Sequence, residues 1–174
     1  MIELIVGGAR SGKSRYALDR AKHSHANLSF IATAQSSVAT DDEEMAARIL
    51  RHQRERGHEW QLIEEPFRLS GLTGRFSQGD AVVVDCLTLW LSNWLCQQSL
   101  SGWQQEKRLF LSGLRRSPAK WFLVSGETGL GVVPTSALGR QFVDESGWLH
   151  QELAAIADQV VMVLFGLPQI LKQP

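Results

Sequence analysis

The chain has 174 residues, of which 18 are basic and 18 acidic, so its formal net charge is zero. That length fits one domain, residues 1–174, with a core of its own, and the cancelled charge excludes a general field for nucleic acid or an anionic membrane surface. Asp85 and Pro168 break the two longest apolar runs, well short of the ~20 residues a membrane span needs.

The first apolar run, 2–6, reads as a strand, and Glu3 within it, with no basic segment before it, argues against a signal peptide. Directly after it comes Gly7-Gly8-Ala9-Arg10-Ser11-Gly12-Lys13-Ser14, a G-x-x-x-x-G-K-S sequence between a strand and the helical pattern at 13–24. Glycines there let backbone N–H groups turn toward phosphate oxygens without a side-chain clash. Lys13 is placed to reach the β- and γ-phosphates, and the Ser14 hydroxyl to ligate Mg²⁺. The motif in this context predicts a nucleoside triphosphate site.

A second strand is expected at 28–33, followed by a helix at 41–57 that opens on the capping box Thr40-Asp41-Asp42-Glu43. At ~100° per residue, Met45, Ile49, His52 and Arg56 fall on one stripe. Arg48 and Arg56 each stand four residues from His52, and flanking cations favour a neutral, nucleophilic imidazole. Spacing alone does not separate that role from an ordinary solvated or packed histidine. Trp60-Gln61-Leu62-Ile63 is compatible with an edge strand, with a short helix or loop to about residue 80.

Ala81-Val82-Val83-Val84-Asp85 is an apolar strand ending in an acid, the form of a Walker B element whose carboxylate holds Mg²⁺; Asp85 also has the position of a helix cap. A helix follows at 87–97. Cys86 and Cys96 stand ten apart without a CxxC or a nearby histidine, so neither zinc nor a disulfide framework is expected. Trp90 and Trp94, then Trp103, have the spacing of core or subunit-interface aromatics; an apolar wall against a flat organic substrate is the alternative.

A helix at 102–116 leads to a strand at 120–124 and the loop from Gly126 to Pro134, in a place where open α/β sheets bind ligands. A long helix is expected at 134–157, with Arg140 either binding a phosphate or carboxamide or pairing with Asp144, and a last strand at 159–164. Nearly continuous apolar strands alternating with helices predict an α/β fold, a mostly parallel sheet flanked by helices.

The series as a whole resembles the bifunctional adenosylcobinamide kinase/adenosylcobinamide-phosphate guanylyltransferase family of cobalamin biosynthesis. The resemblance rests on residues 7–14, Ile31-Ala32-Thr33-Ala34, and Asp42-x-Glu44-Met45-x-x-Arg48-Ile49-x-x-His52-x-x-x-Arg56. It continues through Trp60, Glu64-Glu65-Pro66 and Asp85-Cys86-Leu87-Thr88-Leu89-Trp90-Leu91-Ser92-Asn93. The C-terminal half adds Gly129-x-Gly131-Val132-Val133-Pro134, Gly139-Arg140-x-Phe142-x-Asp144, Ala157-Asp158 and Gly166-Leu167-Pro168. The resemblance implies a RecA-like P-loop domain, ATP and GTP as substrates with Mg²⁺, adenosylcobinamide and its phosphate as acceptors, and a cytoplasmic homo-oligomer, a trimer. It implies that His52 is the guanylylated residue and that Lys13 acts in phosphoryl transfer. Carried over position by position, the GTP contacts are Gly7, Gly8, Ala9, Arg10, Ser11, Gly12, Lys13, Ser14, Thr33, Ala34, Gln35, Gln53, Arg54, Glu55, Arg56, Glu64 and Asp85, with Ser14 and Asp85 on the metal. The chain departs from the family at Gly126-Glu127-Thr128-Gly129, where Asn-Glu-Val-Gly is common, which predicts a looser loop, and at His150, where Asn is frequent.

Two other classes fit less well. A regulatory GTP switch would carry Asn-Lys-x-Asp, but the two asparagines, Asn27 and Asn93, are not followed by lysine. A nucleic-acid-stimulated ATPase would carry a basic surface. A single-activity P-loop kinase, with His52 structural, remains the nearest alternative.

Overall fold

The structure is a computed structural model that describes residues 1–24, 26–34 and 59–173. Six strands, β1 (Ile2–Gly7), β2 (Asn27–Ala32), β3 (Trp60–Glu64), β4 (Asp80–Asp85), β5 (Lys120–Gly126) and β6 (Gln159–Leu164), pair in parallel. β7 (Leu167–Lys172) runs antiparallel to β6. The order across the sheet is β3-β2-β4-β5-β1-β6-β7. The expected mostly parallel α/β fold is present, and β5 stands between the P-loop strand and the strand that ends in Asp85.

Successive residues of a strand face opposite sides of the sheet, and the core divides accordingly. Ile5, Val83, Phe122, Val124, Val161 and Val163 pack with Ala17, Leu18 and Ala21 of α1 (Lys13–Lys22). Leu4, Val6, Val82, Val84, Trp121 and Leu123 pack on the other face. That face is covered by α2 (Leu87–Gln97), α3 (Leu100–Arg116) and α4 (Ala137–Ile156). Trp90, Trp103 and Trp121 are fully buried, and Trp90 meets Trp103 edge-on with ring centroids 4.8 Å apart. The tryptophans therefore build the core, and the substrate-wall alternative for Trp90 and Trp94 fails.

Three boundaries differ from expectation for local reasons. α4 begins at Ala137 rather than Pro134, because the Ser136 side chain accepts the Gly139 N–H at 3.1 Å and caps it. α3 begins two residues early, where Ser99 caps the Gly102 N–H in the same way. β7 was not expected: each of its residues is exposed, so no hydrophobic alternation marks it, and Pro168 is tolerated because this is an edge strand. The helix expected at 41–57 lies outside the described residues. Among the described residues, no helix is long and apolar enough to cross a membrane.

Candidate nucleotide-binding site

β1 delivers the P-loop from the C-terminal edge of the sheet. A side chain at Gly7 would collide with the Val163 carbonyl and the Ser11 hydroxyl, with contacts of 2.5 and 2.7 Å from an ideal Cβ. Arg10 and Gly12 have φ of 56° and 96°; at Gly12 that left-handed turn starts α1 and suits only glycine well. α1 has no side-chain cap, so its first N–H groups are left to an anion, the usual phosphate-binding arrangement of a helix N-terminus. Lys13 Nζ donates to the Gly8 carbonyl at 3.0 Å, folding back across the loop. The Ser11 hydroxyl is buried without a hydrogen-bond partner, an orphan polar atom inside the phosphate loop. The turn joining β6 to β7 braces the loop from outside, with Gly166 N–H donating to the Ser11 carbonyl at 2.9 Å.

Asp85 ends β4 beside this loop, one strand away. It does not cap the following helix: the Cys86 thiol accepts the Leu89 N–H at 3.4 Å and fills that role. Burial, with Asp85 beside it, pushes the Cys86 thiol up to about 11. Asp85 and Ser14 supply a carboxylate and a hydroxyl oxygen, the hard donors Mg²⁺ prefers. No cluster of three or more His, Cys, Asp or Glu ligands occurs among the described residues, and an Mg²⁺ shared between one or two side chains and phosphate oxygens needs none.

Other expected contacts are placed as follows. Thr33 is fully buried; its hydroxyl donates to the Cys86 carbonyl at 2.8 Å and accepts the Cys86 N–H at 3.0 Å. It thus ties β2 to β4. Ala34 follows at the same edge, and Glu64 ends β3 opposite Ala32. Gln35, His52, Gln53, Arg54, Glu55 and Arg56 lie outside the described residues. Arg140 turns its guanidinium to the carbonyls of Pro134 and Thr135, at 3.3 and 2.6 Å, and so closes the turn before α4.

Gly126 is not a loose position. It is the last residue of β5, paired with Gly7, and its N–H donates to the Thr88 hydroxyl. A Cβ there would stand 2.9 Å from that hydroxyl. Beyond it lies a polar cluster that residue spacing did not reveal. Thr88 Oγ1 is 3.3 Å from Ser125 Oγ, Ser125 Oγ is 2.7 Å from His150 Nε2, and His150 Nδ1 is 3.5 Å from Glu127 Oε2. Burial lowers the His150 pKa, partly offset by Glu127, so the ring is neutral at pH 7. The available signal was Ser125-Gly126-Glu127 at the end of a strand facing the phosphate loop.

Solved structures share this architecture at low identity. A phosphate-loop ATPase domain superposes with a TM-score of 0.52 at 14% identity, covering 92% of this chain and 68% of that one. The flagellar accessory protein FlaH of Methanocaldococcus jannaschii gives 0.53 at 12%, covering 99% and 78%. The RadB recombinase gives 0.51 at 13%, covering 92% and 73%. These likenesses establish a RecA-like P-loop fold. Sequence relatives are much nearer. The bifunctional adenosylcobalamin biosynthesis protein CobP of Pseudomonas aeruginosa is 44% identical over 173 residues, spanning 99% of this chain and 98% of its own. The protein CobU of Escherichia coli, described in the same words, is 34% identical over 181 residues, spanning 96% and 97%. The family model described as cobinamide kinase/cobinamide phosphate guanyltransferase matches residues 3–171. With the phosphate loop and Asp85 set in a RecA-like sheet inside that match, the chain belongs to the cobinamide kinase/cobinamide phosphate guanyltransferase family.

Proposed function

We propose that the protein phosphorylates adenosylcobinamide with a nucleoside triphosphate, then passes GMP from GTP, through His52, to adenosylcobinamide phosphate. The products are adenosylcobinamide-GDP and pyrophosphate. The observation that carries this reading is the family match over residues 3–171, laid on a phosphate loop whose Gly7 and Gly12 geometry admits no side chain. In the kinase step the acceptor hydroxyl attacks the γ-phosphorus, and the nucleoside diphosphate leaves. Lys13 and the α1 N–H groups stabilise charge on the transferred group, so positioning and electrostatics supply most of the catalysis. Mg²⁺, held by Ser14 and Asp85, would neutralise charge on the bridging phosphates.

In the second reaction a nitrogen of neutral His52 attacks the α-phosphorus of GTP and pyrophosphate departs. A phosphate oxygen of the acceptor then displaces His52 by breaking the P–N bond. Covalent transfer divides one hard displacement into two easier ones. Arg48 and Arg56, or Arg10, neutralise the departing pyrophosphate; an arginine-to-alanine series with unchanged rates of labelling would remove that role. The setting is the cytoplasm and the working form a homo-oligomer, a trimer.

The test is incubation with Mg²⁺ and GTP labelled on its α-phosphate, followed by denaturing electrophoresis, for wild type and His52→Ala. Label that survives alkali, is released by acid and is absent from the variant identifies a phosphoramidate at His52. No label on folded, GTP-binding wild type would leave a P-loop kinase with a bystander histidine.

A further inference from the structure

We propose that Glu127 is the catalytic base of the kinase step, receiving the proton of the acceptor hydroxyl, and that His150 is the positioning residue that holds its carboxylate in place. The inference rests on the kinase reading above and adds to it a base that the phosphate loop lacks.

Position comes first. The register Gly7↔Gly126 makes Glu127 the first residue past β5, level with the opening of the phosphate loop, and its N–H donates to the Gly7 carbonyl at 2.9 Å. β5 lies between β1 and β4, so Glu127 leaves the sheet about one strand spacing, ~5 Å, from the strands that carry the phosphate loop and Asp85. An alcohol attacking a γ-phosphate held there approaches this edge of the sheet.

The polar cluster supplies the second argument, because its hydrogen bonds can run in one direction. Gly126 N–H donates to the Thr88 hydroxyl. Thr88 can then donate to Ser125, and Ser125 to His150 Nε2. That order leaves the single proton of the neutral ring on Nδ1, facing Glu127 Oε2. The other carboxylate oxygen accepts the Gly129 N–H at 2.5 Å. Each oxygen thus has one fixed donor and a free lone pair. Ser125 is 1% exposed, and the His150 and Glu127 side chains 14% and 21%, so the carboxylate is the most accessible of these three. A buried polar relay is costly unless fully satisfied, and this one ends on a group able to accept a proton.

In the reaction the acceptor O–H bond breaks as its oxygen bonds to the γ-phosphorus. The proton passes to Glu127, the bond from γ-phosphorus to the bridging oxygen breaks, and the nucleoside diphosphate keeps that electron pair. Glu127 then returns the proton to water. A carboxylate taking a substrate hydroxyl proton is sufficient for phosphoryl transfer.

The experiment measures two reactions on the full-length enzyme: phosphorylation of cobinamide by ATP and Mg²⁺, and protein labelling from α-labelled GTP. For Glu127→Gln, kinase kcat falls by ~10²–10⁴-fold, the range for a lost general base, while KM values and GTP labelling stay at wild-type levels. His150→Leu lowers kinase kcat without raising KM, and His150→Gln, which retains an N–H donor, restores part of it. Should Glu127→Gln fail to fold, Glu127→Asp carries the same expectation of selective kinase loss. Wild-type kinase kcat in the glutamine or aspartate variant overturns the proposal, as does equal loss of both reactions. Wild-type protein that phosphorylates no cobinamide removes the functional reading itself, an outcome separable from either of those.

Discussion

Asn93 Nδ2 donates to the carbonyl of Thr33 at 2.9 Å, inside the protein, and to the carbonyl of Pro66 at 3.1 Å. One amide on α2 thereby holds the chain just past β2 and again just past β3. Trp90 and Trp94 reinforce it, both indole N–H groups donating to the Phe67 carbonyl at 2.8 and 2.9 Å. Replacing Asn93 by Leu leaves two carbonyls without this donor. Stranding buried acceptors costs about 1–3 kcal/mol, and in a domain of this size each kcal/mol moves Tm by about 2–4 °C. Thermal unfolding of Asn93→Leu is expected to show a fall of about 5 °C; an unchanged Tm would mean that the tether holds nothing.

That tether explains a contrast in what the sequence made legible. The phosphate loop was readable because phosphate binding needs consecutive residues, Gly7 to Ser14, between a strand and a helix. The six parallel strands were readable because most are buried on both faces and so leave near-continuous apolar runs. Asn93, His150 and Ser125 were opaque because their partners come from other elements: Ser125 meets Thr88 and His150 only after β5 enters the sheet between β4 and β1. β7 was opaque for the opposite reason, since an exposed edge strand carries neither a buried run nor an alternation. Asp85 was ambiguous between cap and ligand until the Cys86 thiol was seen to cap α2.

The two cysteines differ in chemistry as a result. With its pKa pushed up to about 11 by burial, the Cys86 thiol has about one part in a thousand as thiolate at pH 8, and the thiolate is the reactive form. Cys96 is exposed. A disulfide reagent at pH 8 is expected to titrate one thiol per native chain quickly and the second only after denaturation. Two fast thiols would show that Cys86 is open to solvent and would undo its role as a sealed helix cap.

α3 meets the 3₁₀ turn at Leu69–Leu72 through a close approach at Gly113, where an added Cβ would stand 2.7 Å from Thr73 Cβ. Thr73 is itself buried, its hydroxyl donating to the Ser70 carbonyl at 2.9 Å, so it has little room to yield. Alanine improves intrinsic helix propensity by up to about 1 kcal/mol, whereas overpacking costs about 1–3 kcal/mol. Gly113→Ala is therefore expected to lower stability by about 1–2 kcal/mol in urea unfolding, against the helix-propensity trend. A stabilised variant would mean that Thr73 moves aside freely.

His150 gives stability a pH dependence whose sign follows from its surroundings. Burial lowers its pKa below the ordinary value of 6.5, and the opposing attraction of Glu127 does not cancel that effect. Between the folded and unfolded values the unfolded chain binds more protons, so stability rises with pH across that window. The full contribution is present above about pH 6.5 and is lost as pH falls through the folded value. Asn at this position keeps a polar contact for Ser125 but cannot titrate. Urea unfolding at pH 7.5 and 5.5 is therefore expected to show a larger acid loss of stability for wild type than for His150→Asn. Parallel losses in the two proteins would show that His150 accepts its proton in the folded state as readily as in the unfolded chain, and that the cluster around Ser125 and Glu127 does not hold the ring neutral.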